Sequence, residues 1–462
     1  MAATRTKKLA SGALHGSHFS GTQVFVASTN YGLTTLVAAI DTDCFGDADE
    51  RILVVSNNGQ TPEAGILLEE MSGFDDLCTR FDRVHSLNAA VAPQHPSLWR
   101  PRWEDTTAWQ RLLRHEWQID ARTDVHLIVE SIQVAPALSL ARVFADAPID
   151  VYADGLMSYG PTRSELPLQV GSRLRRLHHL DLVPGLAPLL LSEFQVTTNV
   201  IDTQAFRQTM ARSGADAVLP EIDGPAALLI GQYLSPLDIM TEQEEEQLHA
   251  DMVRLAAKHG HRRIIFKPHP GAPRALVDGL EEVAAEAGAE LIVFAEPVLA
   301  ETLFERMELS AVIGCFSTAL MTAATVYGLP VGRVGTAALL QKLAPFQNSN
   351  RMPLTLIHAL VPDLTTDPPG AVRPSDEWLA GLVVAVGYAM QDEVLADRRA
   401  AAVSWLEANW AGAKEHFKRR RLTKLDLPGG LPPRFGRFTP QVRVAAARAR
   451  RLRTKINKFR QG

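Results

Sequence analysis

The stretch RRIIFKPHPGAP, residues 262–273, decides how the rest of the chain is read. Ile264, Ile265 and Phe266 form a short apolar run closed by Lys267. Pro268 and Pro270 then fix φ and remove two backbone donors, so the run stops as a buried strand stops. Its surroundings repeat the theme. Upstream lie AALLIGQYL (226–234) and the charged MTEQEEEQLHADMVRLAAKHG (240–260), the latter with helical spacing. Downstream come ALVDGLEEVAAEAG (275–288), AELIVFA (289–295), LAETLFERM (299–307), AVIGCFS (311–317), TALMTAATVYG (318–328) and LPVGRVG (329–335). Apolar runs alternating with helical segments of about 10–15 residues predict a parallel sheet covered by helices on both faces.

The preceding half carries the same alternation. TQVFVAS (22–28) and RILVVSN (51–57) read as strands around a helix from about Tyr31 to Ile40. VHLIVES (125–131) and PIDVYADG (148–155) follow, with a helix around APALSLARVFAD (135–146) between them. MARSGADAVLPEIDGP (210–225) joins the two series. The expected fold class is α/β, with two doubly wound Rossmann-like domains facing across a cleft and a basic C-terminal extension. The expected divisions are a flexible N-terminus over 1–19, a first domain over 20–215, a second over 225–412 and a basic tail over 413–462. A chain of 462 residues with 46% hydrophobic content is long enough for both cores.

The net charge of -5 hides an asymmetry. From Lys414 onward there are 16 Lys/Arg against 2 Asp/Glu, a surplus of +14 that leaves -19 on the body. Positive charge confined to one end argues against a general nucleic-acid binder. The basic opening MAATRTKKLASGALHGSHF lacks the apolar stretch expected of a secretory signal, and no membrane span is expected along the chain. Cys44, Cys78 and Cys315 match no zinc spacing and read as reduced thiols, which fits a cytoplasmic protein.

In doubly wound sheets ligands bind beyond the carboxyl ends of the strands, so chemistry is sought there. One such end is VYADGLMSYGP, where Asp154 offers a general base and Gly155 a tight turn; an ordinary Asp-Gly turn accounts for the pair equally. A second is Lys267-Pro268-His269-Pro270, where an imidazole held rigidly after a strand can donate to a departing phosphate oxygen. His-Pro also occurs at His95-Pro96, in a loop, so the dipeptide alone discriminates poorly. A third is Ser317-Thr318, at a strand-to-helix turn where an N-cap hydroxyl and a helix N-terminus suit a phosphate. Glu296 ends a strand, and Glu301, after Pro297, sits in a first helical turn where the dipole favours a carboxylate in any case.

The order Asp-Gly, Lys-Pro-His-Pro, Pro-x-x-x-Glu and Ser-Thr resembles the bacterial sialyltransferases, and most closely the polysialyltransferase-type branch, over roughly residues 20–330. The resemblance implies a GT-B glycosyltransferase that uses CMP-sialic acid, with no cofactor and no catalytic metal. His269 would match the histidine on the CMP phosphate, with Lys267 and Pro270 beside it. Ser317 and Thr318 would match the hydroxyl pair on that phosphate, and Glu301 the carboxylate on the ribose. Asp154 would fall in the acidic motif that supplies the base. That motif usually has two acids before glycine, and here the first position is Ala153. Asp154 in a shifted geometry, or Glu130 of VESIQVAP, would then be the base, or turnover is impaired.

On this reading the acceptor is a glycan or glycolipid of bacterial capsule or cell-surface polysaccharide synthesis. Other GT-B transferases of surface-polymer assembly, with CDP-glycerol or CMP-Kdo donors, are alternatives, as is a non-catalytic protein that retains the fold. LWRPRWEDTTAWQRLLRHEWQ (98–118) holds four of the seven tryptophans, which would either bind an anionic glycan or pack on the core. The basic tail would either lie on an anionic inner-membrane surface, making the protein peripheral there, or remain solvated.

Overall fold

A computed structural model describes residues 18–59, 67–366 and 373–432. The expected flexible N-terminus and most of the expected basic tail lie outside the described residues.

Among the described residues twelve strands form two wholly parallel sheets. In the first lobe these are β1 (Phe19–Ala27), β2 (Ala48–Val55), β3 (Arg83–Ser86), β4 (Val125–Val129), β5 (Ile149–Ala153), β6 (Leu174–Leu180) and β7 (Thr197–Ile201). The second lobe has β8 (Ala226–Ile230), β9 (Arg263–Lys267), β10 (Glu290–Val293), β11 (Leu309–Gly314) and β12 (Val331–Arg333). The sheet orders are β3-β2-β1-β4-β5-β6-β7 and β10-β9-β8-β11-β12. Both reverse direction beside their first strand, so each sheet has its switch point at the central pair, β1/β4 or β8/β11. These are the two doubly wound lobes expected from the alternation, in the GT-B form that the resemblance implied.

The central strands are apolar because helices cover both faces: every residue of β4 and of β8 is buried. A buried polar cluster interrupts the first sheet, where His126 of β4 faces Asp150 of β5. Asp150 of β5 is fully buried, with Oδ2 3.1 Å from Arg176 Nε, 3.3 Å from His178 Nε2 and 3.4 Å from His126 Nε2. Burial alone would raise this carboxyl, but the two imidazoles outweigh it and hold it well below the usual carboxylate range.

The lobes are packed together. Arg306 NH1 donates to the carbonyls of Gly214 and Ala217 at 2.7 Å, and Tyr31 Oη lies 3.1 Å from Thr322 Oγ1. The helix Asp376–Met390 follows the second lobe but returns to the first. Its Gly387 sits against Leu189 and Pro161, and the Gln391 side chain just after it donates to the Arg163 carbonyl at 2.7 Å.

The beginning of the expected basic tail is folded. Residues 414–425 form a 3₁₀ turn and a short helix with Phe417 and Leu422 buried, and Arg421 donates to the Ala389 carbonyl at 2.7 Å. Of these basic residues Arg421 covers the end of a helix, while Lys414, Arg419, Arg420 and Lys424 remain exposed. The tryptophan segment also divides: Trp99 and Trp117 are buried core, Trp109 packs on Trp99, and Trp103 is exposed. Among the described residues no helix is long and apolar enough to cross a membrane.

Candidate active site

The carboxyl ends of both sheets open into one cavity of about 580 Å³ between the lobes. Asp154, after β5, lines it from the first lobe. Lys267, Pro268, His269 and Pro270 line it from the end of β9, Ser317 and Thr318 from the turn after β11, and Glu301 from the first turn of the helix Ala300–Arg306. All the site residues expected from sequence therefore share one cavity. Glu296 does not line it; its carbonyl instead accepts from Lys267 Nζ at 3.0 Å.

Proline geometry shapes the histidine turn. His269 Nδ1 accepts from the Gly271 N–H at 3.1 Å, so the neutral ring carries its proton on Nε2. Protein surrounding the ring disfavours its charged form and lowers its pKa, although the side chain still meets water at the cavity. His95 contrasts with it: there both ring nitrogens are engaged, by Ser97 Oγ and the Gly59 carbonyl, each at 2.7 Å. That His-Pro is a structural turn.

Lys267 is buried over the Phe294 ring, 5.0 Å from its centroid, and burial lowers its pKa to about 8 with Glu301 opposing the shift. Glu301 is buried too, and burial raises its carboxyl to about 7 despite Lys267. Ser317 caps the helix Thr318–Thr325 by accepting from the Ala319 N–H at 3.3 Å, which leaves helix N–H groups directed at the cavity end. Thr318 lines the cavity and also reaches across the seam, where its Oγ1 accepts from the Leu156 N–H of the Asp154 loop at 3.5 Å.

Glu130 stands behind Asp154. Ser28 Oγ donates to Glu130 Oε1, and Tyr152 Oη, 2.9 Å from the Val26 carbonyl, lies 3.3 Å from Oε2. Burial and the neighbouring Asp154 raise Glu130 to about 7, while burial raises Asp154. The two carboxyls titrate as a pair. A smaller hollow of about 180 Å³ adjoins the cavity across this turn; Glu130, Ser131, Gln133 and Arg163 line it, and Asp154, Gly155, Met157 and Thr318 border both.

Sequence reasoning missed Tyr31, Gln232 and Tyr233, which also line the cavity. Gln232 Oε1 accepts from the Phe316 N–H at 2.8 Å and so braces the turn before Ser317. The signal was available in GQY, directly after the β8 run, because the strand-end rule applies there as well.

No curated protein sequence matches the chain. Solved structures similar to it include the GT-B domain of a sialyltransferase from Photobacterium damselae, 11% identical, TM-score 0.37, covering 73% of this chain and 95% of that one. The glycotransferase of kitacinnamycin is 12% identical with a TM-score of 0.41 over 89% of this chain and all of that one. MurG of Acinetobacter baumannii is 11% identical with a TM-score of 0.38 over 84% and 94%. Such distant likenesses carry no inference about activity. The sequence profile of the alpha-2,8-polysialyltransferase family, in contrast, matches residues 23–334, a span that holds both sheets and all the cavity's charged side chains. On that match the chain belongs to the alpha-2,8-polysialyltransferase family and is a glycosyltransferase.

Proposed function

We propose that the protein moves sialic acid, or a related nonulosonic acid, from a CMP-activated donor to a glycan acceptor, with inversion and without a catalytic metal, in the synthesis of a capsule or other surface polysaccharide. One observation supports this above the rest. An acid of one lobe and an imidazole, a lysine, a buried carboxyl and two hydroxyls of the other line a single cavity.

In this reading CMP occupies the second-lobe side. Its phosphate sits at Ser317, Thr318 and the helix N-terminus, with Lys267 and Pro270 at its edge, and Glu301 accepts from the ribose. The acceptor hydroxyl enters from the smaller hollow and gives its proton to Asp154. The oxygen attacks the anomeric carbon from the face opposite the phosphate, and the bond to the phosphate oxygen breaks. CMP departs with its charge stabilised by the helix terminus, by Lys267 and by the Nε2–H of His269. Preorganised donors of this kind are the usual large term in catalysis. Those cations and dipoles supply the positive field that a metal supplies elsewhere. The basic residues beyond 432 would hold the enzyme at an anionic inner-membrane surface beside a lipid-linked acceptor.

The test is transfer from CMP-sialic acid together with calorimetry using CMP. His269→Ala is expected to lower turnover about 100-fold or more while the protein stays folded. Unchanged activity removes His269 from the reaction. CMP binding without turnover of any donor would make the chain a binding protein that keeps the fold, the outcome for which Ala153 gives a reason. Turnover of a CDP-glycerol or CMP-Kdo donor instead would reassign the substrate.

A further inference from the structure

Away from the cavity, the 3₁₀ turn Lys414–His416 brings two side chains against the helix Arg351–Leu360. The donor atoms of His358, Glu415 and His416 there lie within 4.8 Å of one another. We propose that these three side chains bind one divalent transition-metal ion, with Zn²⁺ the best chemical match. The site would fasten the segment after the helix Arg399–Ala413 to the back of the second lobe.

The His416 side chain is buried, only 2% exposed, and its Nδ1 has no hydrogen-bond partner. An unsatisfied polar atom in such a place destabilises the fold, and ligation would satisfy it. His358 is tethered at its far side. Its Nδ1 lies 2.8 Å from Thr336 Oγ1, which is itself held by Arg333 NH1 at 2.6 Å. The other nitrogen, Nε2, faces Glu415 Oε1 at 3.3 Å. Tethering one imidazole nitrogen to orient the other is the arrangement that surrounds metal-bound histidines. Glu415 is half exposed, so its carboxylate adds a negative charge and leaves the fourth position open to water. Two histidines, a glutamate and a water form an established zinc donor set.

Two arginines stand nearby, and their charge opposes a cation. Arg333 is paired with Asp363 at 2.8 Å, and Arg351 is spent on the Leu343 carbonyl at 2.7 Å and the face of Phe346. Their field excludes a hard ion held by charge alone and leaves a metal that bonds well to imidazole nitrogen. None of the three ligands lines the cavity between the lobes, so uptake is measurable independently of transfer.

The experiment takes the untagged full chain, stripped with chelator, and titrates Zn²⁺ by calorimetry and Co²⁺ by visible absorption. One equivalent with the d–d bands of a tetrahedral site is expected. Glu415→Gln, a change at an exposed position that the fold tolerates, should weaken binding about tenfold or more. Thr336→Val, which keeps all three ligands but releases His358, should weaken it about 10–100-fold. His416→Ala should abolish the Co²⁺ bands. Substoichiometric uptake by the parent chain overturns the proposal, and so does uptake that Glu415→Gln and Thr336→Val leave unchanged.

Discussion

Replacing Glu130 by glutamine separates two roles that its neighbourhood with Asp154 confounds. Burial and the adjacent acid lift Glu130 to about 7, from an ordinary value of 4.5. That shift corresponds to about 3 kcal/mol against the charged form, owed first to burial and then to the Asp154 charge. At neutrality Glu130 is therefore about half protonated. If catalysis requires both groups ionised, about one molecule in ten is competent at pH 6 and about nine in ten at pH 8. Glutamine keeps the shape, and its side-chain carbonyl still accepts from Ser28 or Tyr152 while the competing charge is gone. Asp154 then ionises more readily. The acid limb should then move to lower pH, and the competent fraction at pH 6 should rise from about one in ten toward unity, at most about tenfold. The assay is kcat/KM for transfer from CMP-sialic acid between pH 5.5 and 9, with Asp154→Asn measured alongside. An acid limb that stays in place refutes the coupling. Loss of turnover at every pH in Glu130→Gln, with Asp154→Asn still active, makes Glu130 the base and overturns the assignment.

Gly155 adopts an extended backbone that alanine tolerates, yet a Cβ there would lie 3.1 Å from Thr318 Oγ1 across the seam. Gly155→Ala should leave the melting temperature within a few degrees and lower kcat/KM about tenfold or more, since angstrom-scale misplacement is costly; wild-type kinetics would show that this contact is dispensable. Asp150→Asn should destabilise the fold at pH 7 by about 3–5 kcal/mol in denaturant titration, because Arg176 loses its buried partner. The folded Asp150 pKa is depressed, so its contribution is present above about pH 4 and is lost as pH falls further. The gap between variant and parent should therefore shrink in acid, and a gap independent of pH would mean that charge is not the cause. Removing residues 433–462 should reduce co-sedimentation with anionic vesicles at low salt without changing kcat on a soluble acceptor; unaltered sedimentation would eliminate the tail as an anchor.

Much of the fold was legible because central parallel strands are apolar throughout. AALLI, RIIF and AVIG announce themselves, and the prolines and glycines around them mark their ends. LRRLHHL did not, although it forms β6. Its Arg176 and His178 belong to the buried charge cluster around Asp150, a tertiary arrangement that periodicity does not encode. RVHS and TTNVI, the edge strands β3 and β7, are partly exposed and alternate like loops. The site was legible wherever a strand end carried a rigid or capping residue, as at His269 and Ser317. Tyr31 escaped because only the docking of the lobes brings its hydroxyl to Thr322. Glu130 was visible as an alternative acid, but its pairing with Asp154 needed the register of β4 beside β5.

The helix that runs back from the second lobe onto Leu189 and Pro161 has a practical consequence. It begins at Asp376, well past residue 334, where the family match stops. A gene fragment trimmed to that boundary would keep every proposed catalytic group but lose this brace, leaving the hinge at 214–225 as the sole covalent crossing between the halves. Apolar side chains now covered by the brace would then face water. The smallest autonomous enzyme is thus longer than the portion by which its kin are recognised.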